Sequence, residues 1–314
     1  MKTSLLLVTT DPRSLGAARM PRSLAEAGFD VSLLAPAGAL AQKSGFIART
    51  GHLPDSVATR EWIFAFAAMV RGCSPRLVVP GDETTLRLMQ MLVLAPPAEM
   101  NPAIQRELAQ VVQESLGDPA GYEPDIAKLS GTGTTATEGA PPAFQVERAD
   151  AKRVSYSAVA WKGALLAGYA VETLAGPPGT SGMATVDRSY RSPELRAVAA
   201  RVAGELGITG FFAADFIVGG PGGRSTLVGM GRALRADMHR GSAYDVDPCK
   251  ALFAAMNGLA STTRPDFDDG EERIGVSFPQ EWLRDPDSPW LRDHPVDMPW
   301  EEPELIEAMI ALRG

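Results

Sequence analysis

Between residues 206 and 233 the chain reads as a helix end, a buried strand, a glycine turn and a second strand. Residues 211–218, Phe-Phe-Ala-Ala-Asp-Phe-Ile-Val, are apolar apart from one charge, Asp215. The run Gly-Gly-Pro-Gly-Gly at 219–223 forces a reversal, and 225–228 is strand-like again. A carboxylate within an apolar strand is costly to bury unless something compensates it, commonly a cation. Two readings of Asp215 stay open on residue type: a metal ligand, or a strand-end carboxylate bonded to backbone amides.

The N-terminal third has a different pattern. Residues 4–8 read as a continuous apolar run, as expected of a parallel strand buried on both faces, and 30–34 as a second buried strand. Between them Ser14 can cap a helix that runs to Ala27 and stops at Gly28. A helix over 60–71 and a third strand over 77–79 follow, the strand ending at Pro80-Gly81-Asp82. Strands and helices that alternate at this length predict a small parallel sheet with right-handed crossovers. Ligands of such sheets bind at the carboxyl ends of the strands. The loops there carry Asp11, Arg13, Asp82 and Glu83, which are candidate substrate contacts and serve equally as helix caps.

From Pro96 onward the organisation changes. Residues 101–116 form an amphipathic helix capped by Asn101, and a turn-rich segment extends from there to Pro142. Neither Lys128 with its Gly/Thr run nor the Gly/Pro run 176–182 matches a phosphate-binding loop, because Met183 stands where the latter needs lysine. Residues 144–146, 155–161 and 164–174 read as antiparallel strands, with Lys162-Gly163 as the tight turn of a hairpin. A helix over 192–206 is capped by Ser192 with Pro193 in its first turn, and another helix spans 248–257. The second sheet is therefore expected to be antiparallel with helices on one side. Residues 278–300 hold three of the five tryptophans and five prolines, which predicts an extended tail packing its aromatics onto the body.

Composition narrows the class of partner. A net charge of −8 over 314 residues argues against nucleic acid, because phosphate neutralisation needs a basic face. No apolar run is long enough to span a bilayer, and the start of the chain lacks the pattern of a leader peptide. Cys73 and Cys249 lie far apart without metal-binding spacing, and read as reduced thiols of a soluble cytoplasmic protein. His294 has no second histidine or cysteine near it in sequence, which leaves a metal role without support.

In this order the parts resemble the ATP-grasp superfamily of carboxylate-activating ligases. Residues 157–172, SAVAWKGALLAGYAVE, resemble the strand pair that opens the second half of that module. The helix at 192–206, then GITGFFAADFIV, a glycine turn and a short strand, make the closest match. The resemblance implies an α/β plus α+β fold: a Rossmann-like, parallel pre-ATP-grasp domain, then an antiparallel ATP-grasp half. The implied segments are 1–96 for the first domain, 97–143 for a linker helix and truncated lid, 144–265 for the C-terminal subdomain and 266–314 for a wrapping tail. ATP and magnesium are the implied cofactors. A carboxylate attacks the terminal phosphate of ATP, and the acyl phosphate is captured by an amine or thiol. Magnesium then bridges the phosphates through hard oxygen ligands, which two acidic side chains on adjacent strands and a nearby amide supply.

This chain departs from that pattern at the metal. Asp215 takes the position of the first ligand, but the family's glutamate falls on Gly229 and its asparagine on Gly231. Arg232 or Arg235 stands in for the family's arginine in a shifted register. Residues 119–143, about 25 in all, are too few for a lysine-bearing lid with its own core, so that subdomain is expected to be reduced or missing. Lys128 is then either the surviving phosphate lysine or a surface lysine of the linker, and Gln145 and Glu147 fall where the family's hinge meets adenine. The expectation is a ligase-like protein of impaired catalysis that binds a small molecule or a protein partner. The alternative is an active ATP- and Mg-dependent carboxylate–amine ligase in which Asp187, Asp237 or Asp245 supplies the lost ligand. On the first expectation, Asp237 and His239 are solvated loop residues.

Overall fold

The protein is described by a computed structural model covering residues 3–54, 59–117, 151–177, 184–219, 225–263 and 272–313. Its first sheet contains β1 (Thr3–Val8), β2 (Phe29–Pro36), β3 (Arg49–Leu53) and β4 (Leu77–Pro80), all parallel in the order β3-β2-β1-β4. The apolar run in β1 is explained by burial on both faces. Leu5 and Leu7 face α1 (Leu15–Ala27), whereas Leu6 and Val8 face α2 (Thr59–Cys73) and α4 (Pro102–Leu116). The Ser14 hydroxyl caps α1 by accepting from the Ala17 amide, and Gly28 ends it in the left-handed conformation at φ 113°. Asp82 caps α3 (Glu83–Leu94).

The second sheet has seven strands: β5 (Lys152–Trp161), β6 (Ala164–Ala175), β7 (Val186–Tyr190), β8 (Gly210–Val218), β9 (Thr226–Gly231), β10 (Ile274–Ser277) and β11 (Val296–Asp297). Their order is β11-β10-β7-β6-β5-β8-β9, antiparallel apart from the β10–β11 pair. The β5–β6 hairpin turns on Lys162 and Gly163, both at positive φ, the geometry that matches strand twist.

Helices cover both faces of this sheet, not one. Leu195, Ala199 and Val202 of α5 (Pro193–Glu205) pack on Tyr156, Phe212 and Phe216. The opposite face, with Val159, Tyr169, Phe211 and Ala213, packs with α6 (Pro248–Met256) in a core that continues into α1 and the first sheet. Period-2 alternation along β8 explains this, because it sends phenylalanines to both sides. Two apolar faces need two covers.

The tail also departs from the extended path expected of its prolines. It forms α7 (Gln280–Arg284), α8 (Pro289–Asp293) and α9 (Pro303–Ile310), and supplies β10 and β11 to the sheet edge. Pro289 and Pro303 occupy first helical turns, where a missing amide proton costs nothing. Trp282 packs against the core, whereas Trp300 is 72% exposed and fills no groove.

Candidate functional site

Alternation along β8 points Phe212, Ala214 and Phe216 at α5, which leaves Asp215 on the face that looks toward the first sheet. Asp215 is paired in register with Ser155 on β5 and with Gly229 on β9. Its side chain is 30% exposed, so the strand does not enclose the charge fully. The Ser155 hydroxyl donates to Asp215 Oδ1 at 2.5 Å, and Arg235 Nη1 donates to the same oxygen at 2.7 Å. Arg235 Nη2 reaches Ser155 Oγ at 3.2 Å, and its Nε lies 3.5 Å from Asp237 Oδ1. Ser157, one step along the same face of β5, donates to Asp237 Oδ2 at 3.3 Å, and the Tyr169 hydroxyl donates to the Asp237 carbonyl at 2.7 Å.

One guanidinium therefore serves two carboxylates. Burial disfavours its charge, but attraction to Asp237 and Asp215 outweighs that and raises the Arg235 pKa well above the ordinary arginine value. The backbone that carries it is pinned to the first sheet. The Leu234 amide donates to the Pro80 carbonyl at 2.9 Å, and a Cβ on Gly16 would stand 2.5 Å from the Leu234 carbonyl oxygen.

This junction forms one wall of a cleft of about 400 Å³. Asp11, Arg13, Asp82 and Glu83 line it from the carboxyl ends of β1 and β4, and Gly231, Arg235, Asp237 and Gln280 line it from the other side. Asp11, Arg13 and Glu83 are exposed, so they are available to a ligand. Asp82 is not. It accepts from the amides of Thr10, Asp11 and Thr85 and the hydroxyls of Thr9, Thr10 and Thr85. Burial works against its charge, but those bonds hold its pKa below the usual carboxylate range. Asp82 is a helix cap and a brace between the two loops.

The other candidates are dispersed. Arg232 is buried at 3% exposure and donates to the Leu116 carbonyl at the end of α4, a stabilising place for a cation but one remote from the role given to it above. The arginine that meets Asp215 is Arg235. Asp187 is engaged elsewhere, accepting from Arg240 Nη1 at 2.5 Å and from Tyr244 at 2.6 Å. Asp245 pairs with Arg273 at 2.7 Å on the surface. His239 is largely enclosed, with Nε2 2.6 Å from Asp297 Oδ2, and so is Asp237, so neither is a solvated loop residue. Lys128, Gln145 and Glu147 lie outside the described residues, as do residues 144–146.

Sequence reasoning passed over Ser155, Ser157 and Gln280. The two serines were detectable, because they alternate with Val154 and Tyr156 and so mark a polar row on one face of β5. Gln280 carried no signal. It comes to the cleft only because the tail folds back, and its Oε1 is buried without a hydrogen-bond partner among the described residues.

The residues present do not fit a magnesium pair. Gly229 brings no donor opposite Asp215, and Asp215 is already neutralised by a guanidinium. Among the described residues no group of three or more His, Cys, Asp or Glu side chains is arranged to hold a metal ion. None of the described helices is long and apolar enough to cross a membrane.

A parallel four-stranded sheet joined to a mostly antiparallel seven-stranded sheet, with a cleft at their junction, makes an ATP-grasp-like α/β fold. Solved structures built this way include the multifunctional pyruvate carboxylase of Rhizobium etli, matched at 14% identity and TM-score 0.58 over 87% of this chain and 26% of that one. The biotin carboxylase domain of a single-chain bacterial carboxylase matches at 14% identity and TM-score 0.54, over 87% of this chain and 73% of that one. An L-amino acid ligase from Bacillus licheniformis matches at 10% identity and TM-score 0.52, over 84% of this chain and 78% of that one. The chain spans 26% to 31% of the multi-domain carboxylases it resembles. No family model matches the sequence, and neither does any curated protein. The likeness is one of fold.

Proposed function

We propose that this chain is a carboxylate-activating-ligase-like protein that has given up metal-dependent phosphoryl chemistry and acts by binding a small polar molecule in the cleft between its sheets. The observation that carries this reading is Gly229 opposite Asp215, with Arg235 on the carboxylate. Phosphoryl transfer needs cations that bridge the phosphates and offset developing charge, and a single neutralised carboxylate cannot hold them. The described wall of the cleft also carries four carboxylates against two guanidiniums, Arg13 and Arg235. That balance opposes a polyanionic nucleotide and favours a ligand with a cationic group. Cys73 and Cys249 are both free, which fits a reducing, cytoplasmic setting.

Calorimetry with Mg-ATP and an assay of amine-dependent ADP release test this reading. The expected outcome is no magnesium-dependent binding and no turnover, with amine-bearing small molecules raising the melting temperature in a way that Arg13→Ala or Glu83→Gln alters. Amine-dependent ADP formation by the wild type would overturn it. The second reading, an active ligase with a rearranged site, draws on Asp237, which shares Arg235 with Asp215. It requires Asp215→Asn and Asp237→Asn each to abolish such turnover.

A further inference from the structure

We infer that Arg235 is the resident cation of a converted metal position: its guanidinium ties Asp215 to Asp237 as a divalent ion ties two carboxylates, and so excludes divalent ions from the site. The inference rests on the reading above that the cleft works without metal, and goes further by naming what replaced the metal.

Three features carry it. First, the contacts are those of a ligated cation. Arg235 Nη1 is 2.7 Å from Asp215 Oδ1, Nε is 3.5 Å from Asp237 Oδ1, and the Ser155 hydroxyl bridges Nη2 and Asp215 at 3.2 and 2.5 Å. Second, the cation is delivered by a fixed backbone. Leu234 is bonded to Pro80 and packed on Gly16, so the guanidinium acts as an intramolecular ligand. A tethered group of this kind competes at an effective concentration on the order of mM or above. A metal ion must displace it and leave an arginine stranded beside two sheets. Third, the space a second metal ligand needs is still there. Among the described residues, a Cβ at Gly229 meets only Asp215 atoms, at 3.5 and 3.7 Å, and none lies within 4 Å of a Cβ at Gly231. The pocket has kept its shape and exchanged its cation.

Manganese titration followed by electron paramagnetic resonance, on the full chain and with Mn²⁺ alone as probe, tests this. The wild type is expected to take up no saturable Mn²⁺ below about 1 mM, because the guanidinium already satisfies both carboxylates. Arg235→Met is expected to bind one Mn²⁺ at least about tenfold more tightly than the wild type, and adding Gly229→Glu to tighten it again. Arg235→Met/Asp215→Asn and Arg235→Met/Asp237→Asn are both expected to lose that ion. Should Arg235→Met fold poorly, its melting temperature is expected to recover with Mn²⁺ while that of the wild type does not move. Saturable Mn²⁺ binding by the wild type that Asp215→Asn removes would overturn the inference, as would an Arg235→Met protein that folds and binds no better than the wild type. Failure here is separable from failure of the functional reading. ATP turnover supported by a metal bound away from Asp215 sinks the functional reading alone.

Discussion

Asp215 and Gly229 stand directly opposite each other across β8 and β9, and a Cβ built on Gly229 lies 3.5 Å from Asp215 Oδ2. That spacing is ordinary contact, and Gly229 is not among the glycines at positive φ. Glycine is therefore not required there by backbone or by space. Gly229→Ala is expected to be neutral or to stabilise by up to about 1 kcal/mol, through lower entropy of the unfolded chain. Gly16→Ala is the contrast, since its Cβ would sit 2.5 Å from a backbone oxygen of Leu234. It is expected to cost about 1–3 kcal/mol through overpacking. Urea denaturation of the two variants checks the pair, and equal costs would sink the distinction.

The buried cluster around Asp187 makes a sharper prediction. Asp187 is 1% exposed and is held by Arg240 and Tyr244. Burial opposes the charge of Arg240, but its attraction to Asp187 prevails and raises its pKa well above the ordinary value. Arg240→Met leaves a buried carboxylate without its counter-charge, expected to cost about 3–5 kcal/mol. Asp187→Asn/Arg240→Met is expected to cost less than the sum of the single changes, because the pair fails together. Additive losses in a double-mutant cycle would show that the two residues act independently.

Much of this architecture was legible in the sequence, and the exceptions share a cause. Residues 5–8 and 211–214 stand out because strand segments buried on both faces are apolar throughout. The placement of Gly229 opposite Asp215 does not follow from strand period alone: Ile217 faces Thr226 and Phe216 faces Leu227, and a register shift between Phe216 and Asp215 skips Val228. β3 and β7 were missed because Arg49–Leu53 and Val186–Tyr190 are mostly polar, with a single buried aliphatic residue each, Leu53 and Val186, and so lack an apolar run. β10 and β11 exist only once the tail has folded back. The same limit left the choice between Arg232 and Arg235 open in the sequence, and the one that meets Asp215 is Arg235. It lies beyond the end of β9, and its path is set by contacts of Leu234 with Pro80 and Gly16, which no local pattern encodes.

The tail is structural, which bears on any attempt to remove it. Leu305 and Met309 of α9 are 0% exposed and belong to the core that joins the two sheets. Ending the chain after Glu302 strips both from that core, at roughly 1.5–3 kcal/mol each. The expected result is a loss of about 3–6 kcal/mol, read as a lower melting temperature. An unchanged melt would mean that α9 packs more loosely than its burial implies.

Stability is also expected to fall in mild acid, and His239 is the reason. Burial lowers its pKa from the ordinary 6.5, ahead of the opposing attraction of Asp297, and the nearby charges of Arg19 and Arg240 act with burial. The neutral ring, protonated on Nε2, donates to Asp297. The unfolded chain takes up a proton near pH 6.5 that the folded chain refuses until lower pH. The stabilisation from this site is thus complete above 6.5 and is lost as pH falls through the folded value. The slope approaches about 1.4 kcal/mol per pH unit within that window. Asp297 acts in the same direction at lower pH: burial would raise its pKa, but His239 and Arg19 hold it well below the carboxylate range. His239→Gln removes the titrating group while keeping a donor to Asp297. Denaturation curves from pH 7 to 5 are expected to converge for the wild type and the variant in acid, with the wild type losing more on the way. Parallel curves would assign the acid sensitivity to other groups.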